Sequence, residues 1–166
     1  MTIFDPTFDY RLSDLTKEDN LVCWKFAELV KTLVTLSSSA DRQIEIMGAG
    51  IVTDEMAEDF HTYFTLSYKQ FVDNKLLDET TINKLNYLDN FLDQRSGDKD
   101  PYFWDDTTLS TNNDWKNVRT QAKEILTLLG FESLDIDFER IEKYENSNEG
   151  QKLLSQTTRT RLIKKQ

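Results

Sequence analysis

The chain has 166 residues, with 30 acidic and 20 basic side chains and a formal net charge of −10. Apolar residues make up 38% and aromatic residues 11%, a composition typical of a folded domain and not of a disordered chain. No stretch reaches the roughly 20 apolar residues that span a bilayer, and the N-terminus lacks the layout of a signal peptide. The sequence therefore predicts a cytoplasmic protein.

The first half of the chain is predicted to be helical, because glycine and proline are scarce and apolar residues recur every three or four positions. A first helix is predicted to begin at Thr16, as its N-cap, and to end near Leu36. Residues 41–47 fit a short strand or a helical turn equally well. A second, unusually aromatic helix is predicted from Thr53 to about Asn74.

Capping residues mark two further helices. A third helix is predicted to begin at Asp78 and to end near Arg95, and a fourth is capped by Asn112 or Asn113. Gly130 is expected to end the fourth helix, since glycine readily adopts the left-handed conformation of a helix C-terminus.

The last 36 residues are harder to assign. Leu134, Ile136 and Phe138 alternate as in a strand, whereas the spacing from Phe138 onward favours a fifth helix. Residues 147–166 are predicted to be a basic tail, either disordered or forming a sixth helix on the acidic body. The predicted fold class is all-α or mainly α: one acidic helical domain over 1–146, a bundle of about five to six helices, with room for one short extended segment.

Charge is distributed unevenly along the chain. Residues 1–150 carry 30 acidic and 15 basic side chains, whereas residues 151–166 carry five basic side chains and no acidic one. An acidic body repels phosphate backbones, so direct binding to nucleic acid is not expected. The same field accelerates encounter with a basic protein, although acidity can also serve solubility alone.

Few residues suit catalysis. His61 is the only histidine, and Glu58-x-x-His61 matches half of a di-iron motif whose second half is missing. Gly48-Ala49-Gly50 is better explained as a turn between helices than as a dinucleotide loop, because no alternation of strands and helices follows. Cys23 is expected to pack as a small apolar residue. No enzyme activity, metal or cofactor is therefore expected.

The segment between Asp98 and Asn113 lacks helical periodicity and carries three consecutive aromatic residues beside two acids. Long loops in compact domains are often functional, so this one is a candidate binding segment; the alternative is that Phe103 and Trp104 cover the core. The acidic clusters and this loop supply the predicted partner-binding residues, since binding hot spots favour aromatic anchors with complementary charge. They are Asp54, Glu55, Glu58, Asp59, Tyr102, Trp104, Asp105, Asp106, Asp135, Asp137 and Glu139.

Residues 48–60, Gly-Ala-Gly-Ile-Val-Thr-Asp-Glu-Met-Ala-Glu-Asp-Phe, lie in a small acidic chain predicted to be helical. In this character the protein resembles bacterial immunity proteins of contact-dependent inhibition and related polymorphic toxin systems. The resemblance implies a cognate toxin, often a nuclease, as partner, and it assigns no contact residue to this chain. Two other hypotheses are a regulatory adaptor and a helical enzyme using Glu58, Asp59 and His61.

Overall fold

The computed structural model describes residues 2–166 and shows a mixed α and β fold. Across these residues, six α-helices precede one long antiparallel hairpin of two strands. The predicted all-α or mainly α fold class is therefore wrong, since the last 31 residues of regular structure, from 134 to 164, are strands and their turn. Among residues 2–166, no helix has both the length and the hydrophobicity that a membrane span requires. The elements are α1 (Glu18–Ser37), α2 (Ala40–Met47), α3 (Val52–Phe60), α4 (Tyr68–Asp73), α5 (Glu79–Asp93), α6 (Asn113–Leu129), β1 (Leu134–Ser147) and β2 (Gly150–Lys164).

Helix α1 lies at the centre of the core and packs against α6, α3 and the base of the hairpin. Its apolar stripe is buried as predicted, with Leu29, Val30 and Leu33 fully inaccessible to solvent. The helix begins one residue later than expected. Lys17 is the N-cap, while the Thr16 hydroxyl and amide instead donate to the Asp14 carboxylate in a turn before the helix.

The second predicted helix is not continuous. A π turn (His61–Thr65) follows α3 directly, and α4 begins only at Tyr68. Within the π turn the Leu66 N–H donates to the His61 oxygen at 3.1 Å, five residues back, so one extra residue is accommodated. Phe64 within the π turn and Phe71 in α4 are both buried.

Local capping signals are confirmed at the later helices. The Asp78 carboxylate accepts from the Thr81 N–H at 2.8 Å and begins α5. The Asn112 side chain accepts from the Asp114 N–H at 2.8 Å and begins α6, and Gly130 ends α6 in the left-handed conformation. Residues 41–47 are helical and belong to α2.

The hairpin replaces the predicted fifth and sixth helices. Leu134 pairs with Lys164 and Ser147 with Gly150, with one bulge between Lys143 and Tyr144. β1 carries five acidic and two basic side chains, whereas β2 carries four basic side chains and no acidic one. Opposite charges on facing strands favour this pairing, and Arg161 forms an ion pair of 2.9 Å with Asp137.

Gly48 lies where the turn after α2 meets the hairpin. Its φ is +72°, and a Cβ atom here would lie 2.5 Å from Gln156 Oε1 and 2.7 Å from the Arg140 guanidinium carbon. The glycine thus permits both a positive φ and a close approach. The Gln156 side chain accepts from the Ala49 N–H at 2.9 Å and donates to the Ala49 oxygen at 3.1 Å.

Candidate functional site

An open acidic groove of about 820 Å³ lies between α3, the C-terminal end of α5 and the loop before Asp106. We call it the acidic groove. Six carboxylates and His61 line it, and no lysine or arginine among residues 2–166 does. Its lining residues are Ile51, Asp54, Ala57, Glu58, Phe60, His61, Thr62, Asp89, Leu92, Asp93, Ser96, Gly97, Asp98, Pro101, Trp104 and Asp105.

The floor of the groove is formed by residues of the core and by a side chain packed against it. Phe60 and Leu92 are 1% and 6% exposed. Trp104 is half-buried, packs edge-on against Phe103 with ring centroids 4.8 Å apart, and donates its indole N–H to the Arg95 oxygen. Ile51 and Pro101 are exposed, so the groove combines apolar surface from these two residues and Trp104 with carboxylates at its rim.

The three consecutive aromatic residues of the loop lie in different environments. Phe103 is fully buried and stacks on Trp115 at 4.4 Å, and the Trp115 indole N–H donates to the Phe103 oxygen at 2.6 Å. Trp104 lines the acidic groove, while Tyr102 is 61% exposed and lies outside its lining. Phe103 and Trp104 therefore both cover the core, Trp104 also lines the groove, and Tyr102 projects into solvent.

Two neighbouring aspartates in this loop have different roles. The Asp106 carboxylate accepts from the main-chain N–H groups of Val52 and Thr53, at 2.9 and 3.0 Å, and so satisfies the free amides at the start of α3. Asp105 lines the groove and accepts from the hydroxyl and the N–H of Thr107, which hold the pKa of its carboxyl below the usual range. Asp105 thus carries a negative charge at the rim, whereas Asp106 stabilises a helix.

Asp59 turns away from the acidic groove. It lines a separate cavity of about 200 Å³ between α1, α3 and the hairpin, together with Glu28, Lys31 and Tyr63. Burial, and then the nearby charges of Glu55, Glu28 and Glu58, raise the pKa of Asp59 to about 6. Lys31 does not neutralise it, because its ammonium contacts Glu28 at 2.8 Å and the Thr160 oxygen at 2.9 Å.

The predicted acids of the hairpin lie elsewhere and have basic neighbours. Asp135 lies 3.7 Å from Arg42, and Asp137 is bonded to Arg161. Glu139 is exposed and faces Arg159 across the strands. These three residues are thus outside the groove, and Glu55, although exposed on α3, does not line it either.

The groove joins four of the predicted residues to acids that sequence reasoning missed. Asp54, Glu58, Trp104 and Asp105 were predicted; Asp89, Asp93 and Asp98 were not. The four-residue spacing of Asp89 and Asp93 places them on one face of α5, but only the packing of α5 beside α3 brings that face to the groove. His61, which with Glu58 matches half of a di-iron motif, also lines the groove. Within residues 2–166, no group of three or more His, Cys, Asp or Glu side chains is arranged to hold a metal ion.

Comparison with protein families, with curated proteins and with solved structures finds no match for this chain.

Proposed function

We propose that this protein is an immunity protein that binds a basic protein toxin through the acidic groove and thereby neutralises it. The observation that supports the proposal is the groove itself, in which six carboxylates surround apolar surface from the exposed Ile51 and Pro101 and the half-buried Trp104. A lysine or arginine side chain of a partner fits such a site, because its methylene stem packs on apolar surface while its charge meets carboxylates. Trp104 adds an aromatic face for a cation.

The net charge of −10 supports the same proposal, because electrostatic attraction acts over longer distances than the contacts in the groove. A strongly acidic protein attracts a basic partner before contact, and clefts lined by one sign of charge concentrate that attraction. Binding of this kind is fast at low salt and slows as salt is added. A toxin that acts on nucleic acid is itself basic, so an acidic inhibitor suits a nuclease.

The test begins with capture of a partner by the tagged full-length protein, followed by an assay of the partner's toxic activity in the complex. The groove variant combines Glu58→Gln, Asp93→Asn and Asp98→Asn, side chains that make no hydrogen bond or ion pair within residues 2–166. The control variant removes the same charge outside the groove, with Glu55→Gln, Asp73→Asn and Glu132→Gln.

The groove variant should associate with the captured partner roughly tenfold more slowly at low salt, with a flatter salt dependence, while the control stays close to the parent. It should also inhibit toxicity less. Equal kinetics of the two variants would remove the groove from the interface. A partner that stays fully active when bound would instead favour the regulatory adaptor.

A further inference from the structure

The hairpin extends beyond the body of the protein. We call residues 141–155 the distal ribbon. Three large apolar side chains here are exposed, with Ile141 at 65%, Tyr144 at 50% and Leu154 at 59%. An isolated two-stranded ribbon is marginally stable in water, and a third strand adds support. The distal ribbon thus offers a surface on which another strand would be stabilised.

Within the distal ribbon, the main-chain groups of β1 that face away from β2 have no hydrogen-bond partner among residues 2–166. The Lys165 N–H donates to the Ser133 oxygen at 2.7 Å, which makes these two residues a hydrogen-bonded pair. Hydrogen-bonded and non-bonded pairs alternate along antiparallel strands. The register therefore directs the N–H and C=O groups of Arg140 and Glu142 outward.

Contacts nearer the base agree with this alternation. The Ile136 oxygen, at another outward position of β1, accepts from the Arg42 guanidinium. The Thr160 oxygen, at an outward position of β2, accepts from Lys31 at 2.9 Å. The helical body thus occupies both edges near the base, and Glu142 is the first outward position of β1 within the distal ribbon.

The charges of β1 and β2 indicate whether a second copy of this protein could supply the added strand. β1 is acidic and β2 is basic. In a dimer of two copies related by two-fold symmetry, β1 would pair with β1 or β2 with β2, and both arrangements place like charges beside one another. Pairing of β1 with β2 of a second copy would leave the outer edges open and continue without closure.

We propose that the outward edge of β1 in the distal ribbon binds an extended, basic segment of a partner protein as a third β-strand. Main-chain hydrogen bonds supply the binding energy in such strand addition, and side chains of alternate residues supply selectivity. Glu142, whose carboxylate accepts from the Tyr144 hydroxyl, lies on one face of β1, and Glu145, which is opposite Lys152 in the hairpin, lies on the other. A lysine or arginine on either face of the added strand would therefore lie near a carboxylate. This surface shares no residue with the acidic groove, so the proposal goes beyond the proposed function and does not depend on it.

The test uses the isotope-labelled full-length protein and three synthetic peptides of 12 residues with blocked ends. One alternates lysine with threonine and valine, the second carries glutamate in place of lysine, and the third is the lysine peptide with two prolines that prevent strand formation. Amide hydrogen exchange is followed by NMR during titration. The lysine peptide should slow exchange at Glu142 several-fold, and the other two peptides should not.

A charge-neutralised pair, Glu142→Gln with Glu145→Gln, should weaken binding of the lysine peptide and remove the discrimination against the glutamate peptide. Asp73→Asn with Glu132→Gln, which removes the same charge elsewhere, should bind as the parent does, and so should the groove variant. An equal response to the proline peptide would overturn the proposal. So would protection of the outward β2 amides at Thr158 and Gln156, an equal loss in the control, no response to the lysine peptide, or a dimer closed through the ribbon in sedimentation.

Discussion

The Arg140 guanidinium on β1 donates a hydrogen bond of 2.6 Å to the main-chain oxygen of Ile46 in the last turn of α2. A second bond of 3.0 Å reaches the oxygen of Glu45. Carbonyls at a helix C-terminus lack partners within the helix and carry partial negative charge, so a cation here satisfies both needs. Arg140 also lies 4.7 Å from the centre of the Phe138 ring. One side chain thus joins the hairpin to the helical body.

Replacing Arg140 with methionine should lower the free energy of unfolding by about 2 kcal/mol, because charge-assisted hydrogen bonds are lost while the apolar stem is kept. Urea unfolding measures the loss, and amide exchange should accelerate first in the hairpin. Lys143→Met is the matched control, since Lys143 is exposed on the same strand. A loss of equal size in the control would contradict this role for Arg140.

Replacing Asp106 with alanine should destabilise the protein by about 1 to 2 kcal/mol, because two amides at the start of α3 lose their acceptor. Asp105→Ala should cost clearly less, since Asp105 bonds only to Thr107 two residues away. Thermal unfolding of the two variants in parallel provides the comparison. Equal effects would show that capping by Asp106 adds no more to stability than the bonds between Asp105 and Thr107.

Asp59→Asn should stabilise the protein above pH 6. The pKa of Asp59 is raised to about 6 in the folded state, so folding binds a proton between the unfolded pKa of 3.8 and pH 6, and stability contributed by this group falls as pH rises through that window. Asparagine carries no charge to bury. We expect a gain on the order of 1 kcal/mol at pH 7.5, allowing for partial solvent screening, and almost none near pH 3.5.

Urea unfolding of the Asp59→Asn variant and the parent across pH 3.5 to 7.5 isolates this contribution, because other titrating groups are common to both. Asp73→Asn accounts for the general effect of removing one negative charge from an acidic protein. A stability difference that does not grow between pH 4 and pH 7 would contradict the assignment of a raised pKa to Asp59.

Several features that depend on neighbours in the chain are predicted correctly, although Thr16 does not cap α1. Asp78 caps α5 and Gly130 ends α6, since a cap contacts amides or carbonyls within four residues. The buried stripe of α1 follows from helical spacing alone. The π turn after Phe60 is not predicted. Its one extra residue depends on packing on both sides of the turn, and the spacing of apolar residues does not indicate it.

The candidate site is predicted only in part, because it too depends on packing between parts of the chain that are distant in sequence. Asp54 and Asp105 are predicted as members of acidic clusters, and the structure places both at the groove. Asp106 was chosen on identical grounds and instead caps α3. The sequence does not distinguish two neighbouring aspartates. Their roles differ because the Asp106 carboxylate lies within 3 Å of two main-chain amides of α3 and the Asp105 carboxylate does not.

By itself the amino-acid sequence determined the positions of the main helices, the acidic body and the basic last segment, because helical hydrogen bonds and charge are properties of residues close in the chain. The tertiary structure decided that the basic segment is β2. A strand is stabilised by a partner strand that can be distant in the chain, as Leu134 is by Lys164, 30 residues away. The local spacing of apolar residues from Phe138 onward instead favours a helix. The acidic groove likewise exists only because α3, α5 and the intervening loop pack side by side.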